Sequence, residues 1–217
     1  MAPNNAPLQA FGCDTPQRLF RARCQAWGDA PALRHKQKGI WASTSWSGYY
    51  AQARAIGLAL SGLGLRRGDT IAILSENRPE WLVTDMGAQC MGFMSTGIYP
   101  TSSPEQVLHI LNDAEVRVLF VENQEQYDKA IAVRGQAPSL QCIVVTHLKG
   151  LRGLSDPMVS TFADFLAQGQ TLAATQAAQF EQAIDAGRPE DTAFLVYTSG
   201  TIGAPKGAMI ANRKLIF

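Results

Sequence analysis

The feature that most constrains the fold is an alternation of apolar strand patterns with helical patterns between residues 70 and 197. Short runs rich in Ile and Val, such as 70–74 and 142–146, are typical of buried strands. Between them lie segments whose apolar residues recur every three or four positions, as on one face of a helix. Because parallel strands need long crossover connections, usually helices, this order predicts an α/β fold with a mostly parallel sheet flanked by helices.

The individual elements follow from the same patterns and from turn residues. Ser103 and Gln106 form a capping box that starts one helix, and Thr15 with Pro16 starts another. Lys38-Gly39 lies at the centre of a predicted hairpin over 33–46. The remaining strands are expected at 93–99, 116–121 and 193–197, and the helices at 15–27, 48–61, 79–91, 104–114, 124–134, 161–168 and 172–186.

Composition excludes several classes of protein. Apolar residues make up 46% of the 217 residues and the formal net charge is +1, which argues against disorder and against a dedicated nucleic-acid binder.

The four cysteines lack metal-ligand or disulfide-framework spacing, so reduced, partly buried thiols are expected. The N-terminal residues carry no signal-peptide pattern, and no apolar run reaches the about 18 residues of a membrane span. We therefore expect a cytoplasmic protein.

Residues 198–207 form the segment of this chain with the strongest indication of a binding site. They read TSGTIGAPKG, with three glycines, three hydroxyl side chains and one lysine. Glycines allow close backbone approach, exposed amides and hydroxyls can bind an anion, and Lys206 adds a positive charge. The segment is not a Walker A loop, because Pro205 precedes Lys206 where that motif has Gly. A surface hairpin of small polar residues is the alternative.

The order of these residues resembles the signature T-S-G-T-T-G-x-P-K-G of the acyl-adenylate-forming family. Nine of the ten positions agree, counting the free one. Segments 68–81, 95–106 and 115–123 are similar to the long-chain fatty acyl-CoA synthetase branch. The resemblance implies ATP-dependent ligation of a fatty acid to coenzyme A through an acyl-AMP intermediate, with Mg2+ as the metal of ATP.

The resemblance also implies a set of site residues and a domain organisation. The residues expected to contact the phosphates of ATP are Thr198, Ser199, Gly200, Thr201, Gly203 and Lys206. Residues 1–14 are expected to be a tail, and residues 15–217 the N-terminal portion of the AMP-binding domain. Adenine-, ribose- and magnesium-binding segments and a C-terminal lid domain are expected beyond residue 217. We therefore expect the 217-residue chain alone to be inactive, and no catalytic residue is assigned within it.

Two positions depart from the family pattern. Ile202 replaces the usual Thr and lacks its hydroxyl donor, and Asn212 replaces a His that many members have, which puts any acyl-pocket role there in doubt. Among the other polar residues, His109 is expected to be solvated, and Arg78 with Glu80 is expected to start a helix. Residues 99–101 are expected to border the acyl or nucleotide site or to pack in the core.

Two alternatives remain open from the sequence. The acid could be a medium-chain, aryl or amino acid, or the chain could be a non-catalytic binding or interaction module. The expected partners are fatty acid, ATP and coenzyme A, with no nucleic acid and no transmembrane segment, and peripheral membrane contact left open. A homo-oligomer is also expected, through the apolar segments 193–197 and 208–217.

Overall fold

The structure, a computed structural model, describes residues 12–151, 155–198 and 204–216. Its helices are α1 Pro16–Trp27, α2 Trp46–Gly62, α3 Pro79–Cys90, α4 Pro104–Asp113, α5 Gln124–Val133 and α6 Phe162–Asp185. Its strands are β1 Pro31–Gln37, β2 Ile40–Ser45, β3 Thr70–Leu74, β4 Met94–Ile98, β5 Val116–Val121, β6 Cys142–Val145, β7 Val159–Thr161, β8 Thr192–Thr198 and β9 Lys206–Ala211.

The central sheet has seven strands in the order β7-β6-β5-β3-β4-β8-β9 within the described residues. Every neighbouring pair is parallel except β8 and β9, which form an antiparallel hairpin. Strands β1 and β2 form a separate antiparallel hairpin. The α/β fold with a mostly parallel sheet is therefore confirmed.

The two faces of the sheet bury different helices, because side chains alternate along each strand. Ile71 and Ile73 belong to a buried cluster with apolar residues of α1, α2, α3 and α6. Ala72 and Leu74 point the other way and belong to a second cluster with residues of α4 and α5. The result is a three-layer arrangement in which β3 is fully buried.

Helix α2 lies unusually close to its two neighbours. A Cβ atom on Gly169 of α6 would lie 1.8 Å from the carbonyl oxygen of Ala55, and one on Gly57 would lie 2.7 Å from the carbonyl oxygen of Gly87 in α3. Only glycine fits at these positions without a shift of the backbone. The contacts explain why residues 55–60 of α2 are all buried.

The structure corrects two expectations about these elements. The break between the helices expected at 161–168 and 172–186 lies at Gln176, whose dihedral angles are non-helical, and not at 169–171. Gly169 lies within the first helical part of α6, where it packs closely against Ala55 of α2. Strand β7 was not predicted. A 3-10 turn, Asn212–Lys214, follows β9.

The cysteines behave as expected for reduced thiols. Cys24, Cys90 and Cys142 are buried, Cys13 is half-buried, and none forms a disulfide. Burial raises the pKa of Cys24 to about 12 and that of Cys142 to about 11. These thiols are therefore protonated and unreactive near neutral pH.

Candidate functional site

The candidate phosphate loop joins β8 to β9. Thr198 is the last residue of β8 and Lys206 the first of β9, and their Cα atoms are partners in the antiparallel register. Directly opposed residues project to the same face of a sheet, so the side chains of Thr198 and Lys206 leave the same face at the end of the hairpin. Both residues are exposed. Lys206 and Gly207 were expected in the loop but belong to β9.

Five residues of the signature, Ser199, Gly200, Thr201, Ile202 and Gly203, lie outside the described residues. The structure thus brings together Thr198 and Lys206 of the six expected phosphate contacts.

The hairpin borders a cavity at the carboxyl ends of the parallel strands. The cavity has a volume of about 270 Å³. Its lining residues are Ser75, Glu76, Asn77, Trp81, Gly97, Ile98, Tyr99, Pro100, Phe194, Leu195, Val196 and Tyr197. Two of them, Phe194 and Val196, alternate with Tyr197 along β8 and share a sheet face with Thr198. Ligands of open α/β sheets bind in this position.

Helix α4 supports the hairpin from the opposite face. His109 Nε2 lies 2.6 Å from the carbonyl oxygen of Pro205, the residue before β9. The Tyr197 hydroxyl donates to Asp113 Oδ2 over 2.6 Å, and the His109 and Tyr197 rings meet edge to face with centroids 6.4 Å apart. The expectation that His109 is solvated is wrong. His109 and Asp113 are four residues apart, so their shared helix face could have indicated a common contact.

The Tyr197 ring explains why the residue after Lys206 is a glycine. Gly207 is its partner in the register, and a Cβ atom on Gly207 would lie 2.8 Å from Tyr197 Cζ. Burial, and then the hydrogen bond to Asp113, raises the pKa of Tyr197 above its ordinary value. Its hydroxyl therefore stays protonated and keeps donating to Asp113.

A second set of polar side chains lies at the same carboxyl ends of the strands, next to β3 and β5. Glu122 follows β5, and its side chain is 12% exposed. Its carboxylate accepts from the Glu76 amide over 2.9 Å and from Arg78 Nη1 over 3.0 Å. Arg78 precedes the first turn of α3 and Glu80 lies in that turn, so their expected role at the start of a helix is confirmed.

Asn212 lies at the other end of β9, away from Lys206. Its Oδ1 accepts from Gln17 Nε2 over 2.9 Å, and its Nδ2 donates to the carbonyl oxygen of Arg188 over 2.8 Å. The residue is buried. Its amide therefore holds α1 against the segment that precedes β8, and it does not line the cavity at the carboxyl ends.

The described residues contain neither a metal cluster nor a membrane-crossing helix. No group of three or more His, Cys, Asp or Glu side chains in 12–151, 155–198 and 204–216 could hold a metal ion. Across the same residues, no helix combines the length and the apolarity needed to span a bilayer.

Comparison with known proteins decides the family. The model of the AMP-binding enzyme family matches residues 20–217. The chain belongs to the AMP-binding enzyme family. Within this family it is similar to the long-chain-fatty-acid–CoA ligase ACSBG2 of Xenopus laevis, with 34% identity over 200 residues that cover 91% of this chain and 26% of the relative.

Two further members of the family support the match. The long-chain-fatty-acid–CoA ligase ACSBG1 of Homo sapiens is 34% identical over 198 residues, covering 91% of this chain and 27% of the relative. The crystal structure of the anthranilate CoA ligase AuaEII with anthranoyl-AMP superimposes with a TM-score of 0.74 at 28% identity, covering 92% of this chain and 35% of that one. The chain thus spans about a quarter of the length of the curated relatives it matches.

Proposed function

We propose that the β8–β9 hairpin binds the β- and γ-phosphates of ATP in an enzyme that activates a long-chain fatty acid for ligation to coenzyme A. The observation that carries the proposal is the pairing of Thr198 with Lys206 at the carboxyl end of β8. A hydroxyl donor and a point positive charge on the same face of a hairpin suit a polyphosphate. The family of the chain and the names of its relatives support the same reaction.

The reaction has two steps. A carboxylate oxygen of the acid attacks the α-phosphorus of ATP, and the bond to the bridging oxygen breaks as pyrophosphate leaves. The thiol of coenzyme A then loses its proton and attacks the acyl carbon, and AMP departs with the electrons of the broken C–O bond. ATP enters as its magnesium complex.

The residues of this chain contribute to the first step by binding the negatively charged phosphates of ATP. Lys206 and Thr198, together with Ser199, Gly200, Thr201 and Gly203, bind the oxygens of the two outer phosphates. Such contacts orient the α-phosphorus and stabilise the negative charge that develops on the leaving pyrophosphate. Residues 15–217 contribute this part of the AMP-binding domain, and residues 1–14 form a tail ahead of it.

The acid is assigned from the relatives. The printed names of ACSBG1 and ACSBG2 specify long-chain fatty acids. An aryl acid is the second candidate, because the anthranilate ligase has a similar fold at 28% identity. Since the chain spans about a quarter of the length of its relatives, we expect the 217 residues alone not to form acyl-CoA from palmitate, ATP and coenzyme A above a boiled control.

Titration calorimetry of the chain with magnesium ATP tests the proposal. We expect Lys206→Ala to weaken binding about tenfold to a hundredfold, because a charge-assisted contact contributes about 1.5–3 kcal/mol. Lys214→Ala is the matched control, since Lys214 is an exposed lysine beyond the far end of β9, and it should bind as the wild type does. Equal affinity in Lys206→Ala and wild type would exclude the hairpin as the phosphate site.

A further inference from the structure

The tip of the β1–β2 hairpin exposes two large apolar side chains in succession. Ile40 is 75% exposed and Trp41 is 58% exposed. Successive side chains of a strand point to opposite faces, so solvent reaches both faces of this hairpin at its tip. The tip therefore projects from the protein as an apolar end rather than covering the core.

Basic side chains surround this tip without acidic neighbours in the sequence. Arg34 Cζ and Lys36 Nζ each lie 5.6 Å from the Trp41 ring centroid, and Lys38 occupies the turn. No Asp or Glu occurs between Asp29 and Asp69. Among the residues that the structure describes, none of these three cations forms an ion pair.

This combination fits the surface of an anionic bilayer. Tryptophan suits the boundary between headgroups and acyl chains, because its ring is apolar and its N–H can donate. Each cation close to an anionic membrane adds about 1 kcal/mol of attraction. A stable protein partner usually covers about 800 Å² on each side, which is far broader than the end of a two-stranded hairpin.

We propose that Ile40 and Trp41 insert into the headgroup region of anionic membranes while Arg34, Lys36 and Lys38 bind the lipid phosphates. The proposal rests on the exposure and charge of the hairpin and does not depend on the reaction proposed above. The hairpin lies in a different part of the chain from Thr198 and Lys206, so the two proposals can fail separately.

Co-sedimentation of the chain with vesicles tests this proposal. The vesicles contain phosphatidylcholine alone or an equimolar mixture of phosphatidylcholine and phosphatidylglycerol. We expect binding to the anionic vesicles that weakens with added salt. Replacing both apolar residues, Ile40→Ser with Trp41→Ser, should lower the partition coefficient about tenfold or more. Lys36→Gln and Lys38→Gln should each lower it about fivefold.

A matched pair of control substitutions lies on another surface loop. Leu148→Ser and Lys149→Gln remove one exposed apolar side chain and one exposed cation, and they should leave vesicle binding unchanged. Circular dichroism spectra and thermal midpoints should agree among all variants, because the replaced side chains are exposed.

Three results would overturn the proposal. In the first, the wild-type chain does not bind anionic vesicles. In the second, the Ile40→Ser and Trp41→Ser double variant binds them as tightly as the wild type. In the third, the Leu148→Ser and Lys149→Gln controls lose as much vesicle binding as the variants of the hairpin. Light scattering adds a fourth. If the wild type is a dimer that the double variant converts to a monomer, while neither binds vesicles, the tip is a self-association site instead.

Discussion

His109 donates a hydrogen bond to the carbonyl oxygen of Pro205, with Nε2 and the oxygen 2.6 Å apart. A carbonyl oxygen only accepts, so Nε2 carries the proton. The bond joins the middle of α4 to the residue that precedes β9. It is the contact by which a helix of the fold holds one end of the candidate phosphate loop.

We expect His109→Phe to weaken ATP binding about fivefold, because one hydrogen bond contributes about 1 kcal/mol. Phenylalanine keeps the edge-to-face contact with Tyr197 but cannot donate to Pro205. His109→Gln retains a donor at comparable reach and should restore most of the affinity. Calorimetry with magnesium ATP measures both, alongside thermal midpoints. Weakening by Gln without weakening by Phe would show that the ring, and not the hydrogen bond, matters.

The second prediction concerns the contact between α2 and α6. Gly169→Ala should lower the free energy of unfolding by about 1–3 kcal/mol, because the added carbon overpacks a closed contact. Its Cβ atom would meet the carbonyl oxygen of Ala55 at 1.8 Å. Gly135→Ala is the control, since a Cβ atom there meets nothing within 4 Å. Urea denaturation measures the free energy of unfolding of both variants. A Gly169→Ala variant that is as stable as Gly135→Ala would contradict the close approach of α6 to α2.

The third prediction is a pH dependence at the half-buried carboxyl of Asp85 on α3. Asp85 Oδ1 accepts from Ser95 Oγ and from Gln89 Nε2, yet burial outweighs these bonds and raises the pKa of Asp85. The folded protein then holds this proton more tightly than the unfolded chain does. Its contribution to stability is largest below the ordinary carboxyl pKa and is lost as the pH rises through the raised value.

We therefore expect Asp85→Asn to gain stability relative to wild type as the pH increases from about 4 to about 8. The neutral amide avoids burial of a charge, and its oxygen can still accept from both Ser95 and Gln89. Thermal denaturation across this pH range measures the difference between the two proteins. A difference that stays constant or shrinks toward neutral pH would contradict the raised pKa.

The fourth prediction concerns self-association. The sequence favoured segments 193–197 and 208–217 as contacts, but β8, which contains the first, is paired on both sides, with β4 and with β9. Strand β9 is one of the two edge strands of the described sheet, and Met209 on it is 67% exposed. An unpaired edge with an apolar side chain favours pairing with a second copy.

We expect the chain to be a dimer or a larger assembly at micromolar concentration, and Met209→Lys to shift it toward the monomer. Light scattering coupled to size exclusion measures the mass, with Leu148→Lys as a control on a loop away from the sheet. A wild type that stays at 23.5 kDa across concentrations would show that β9 is not an association surface.

Much of the fold was predictable because its signals are local. The apolar runs of β3 and β5 and the capping box at Ser103 depend on neighbouring residues alone, and the structure has them where the sequence predicted. The break expected at 169–171 lies at Gln176 instead. Gly169 serves close approach to α2 rather than the end of a helix, and the local sequence pattern does not show this long-range contact.

Of the candidate site, the sequence predicted the two residues at the ends of the loop that the structure describes. The order of residues 198–207 indicated a phosphate loop, and Thr198 and Lys206 are opposed across the hairpin. The shared helix face of His109 and Asp113 could indicate a common contact but not its partner, because α4 and β9 are separated by nearly a hundred residues. Asn212 likewise bonds to Gln17 across most of the chain.

Titration of the chain with inorganic pyrophosphate tests the central claim most directly. If the hairpin binds the two outer phosphates of ATP, pyrophosphate should bind the wild type, and Lys206→Ala should weaken its binding about tenfold or more. Lys214→Ala, the control beyond the far end of β9, should bind pyrophosphate as the wild type does. Pyrophosphate binding that is unaffected by Lys206→Ala, or that is weakened equally by Lys214→Ala, would contradict the account.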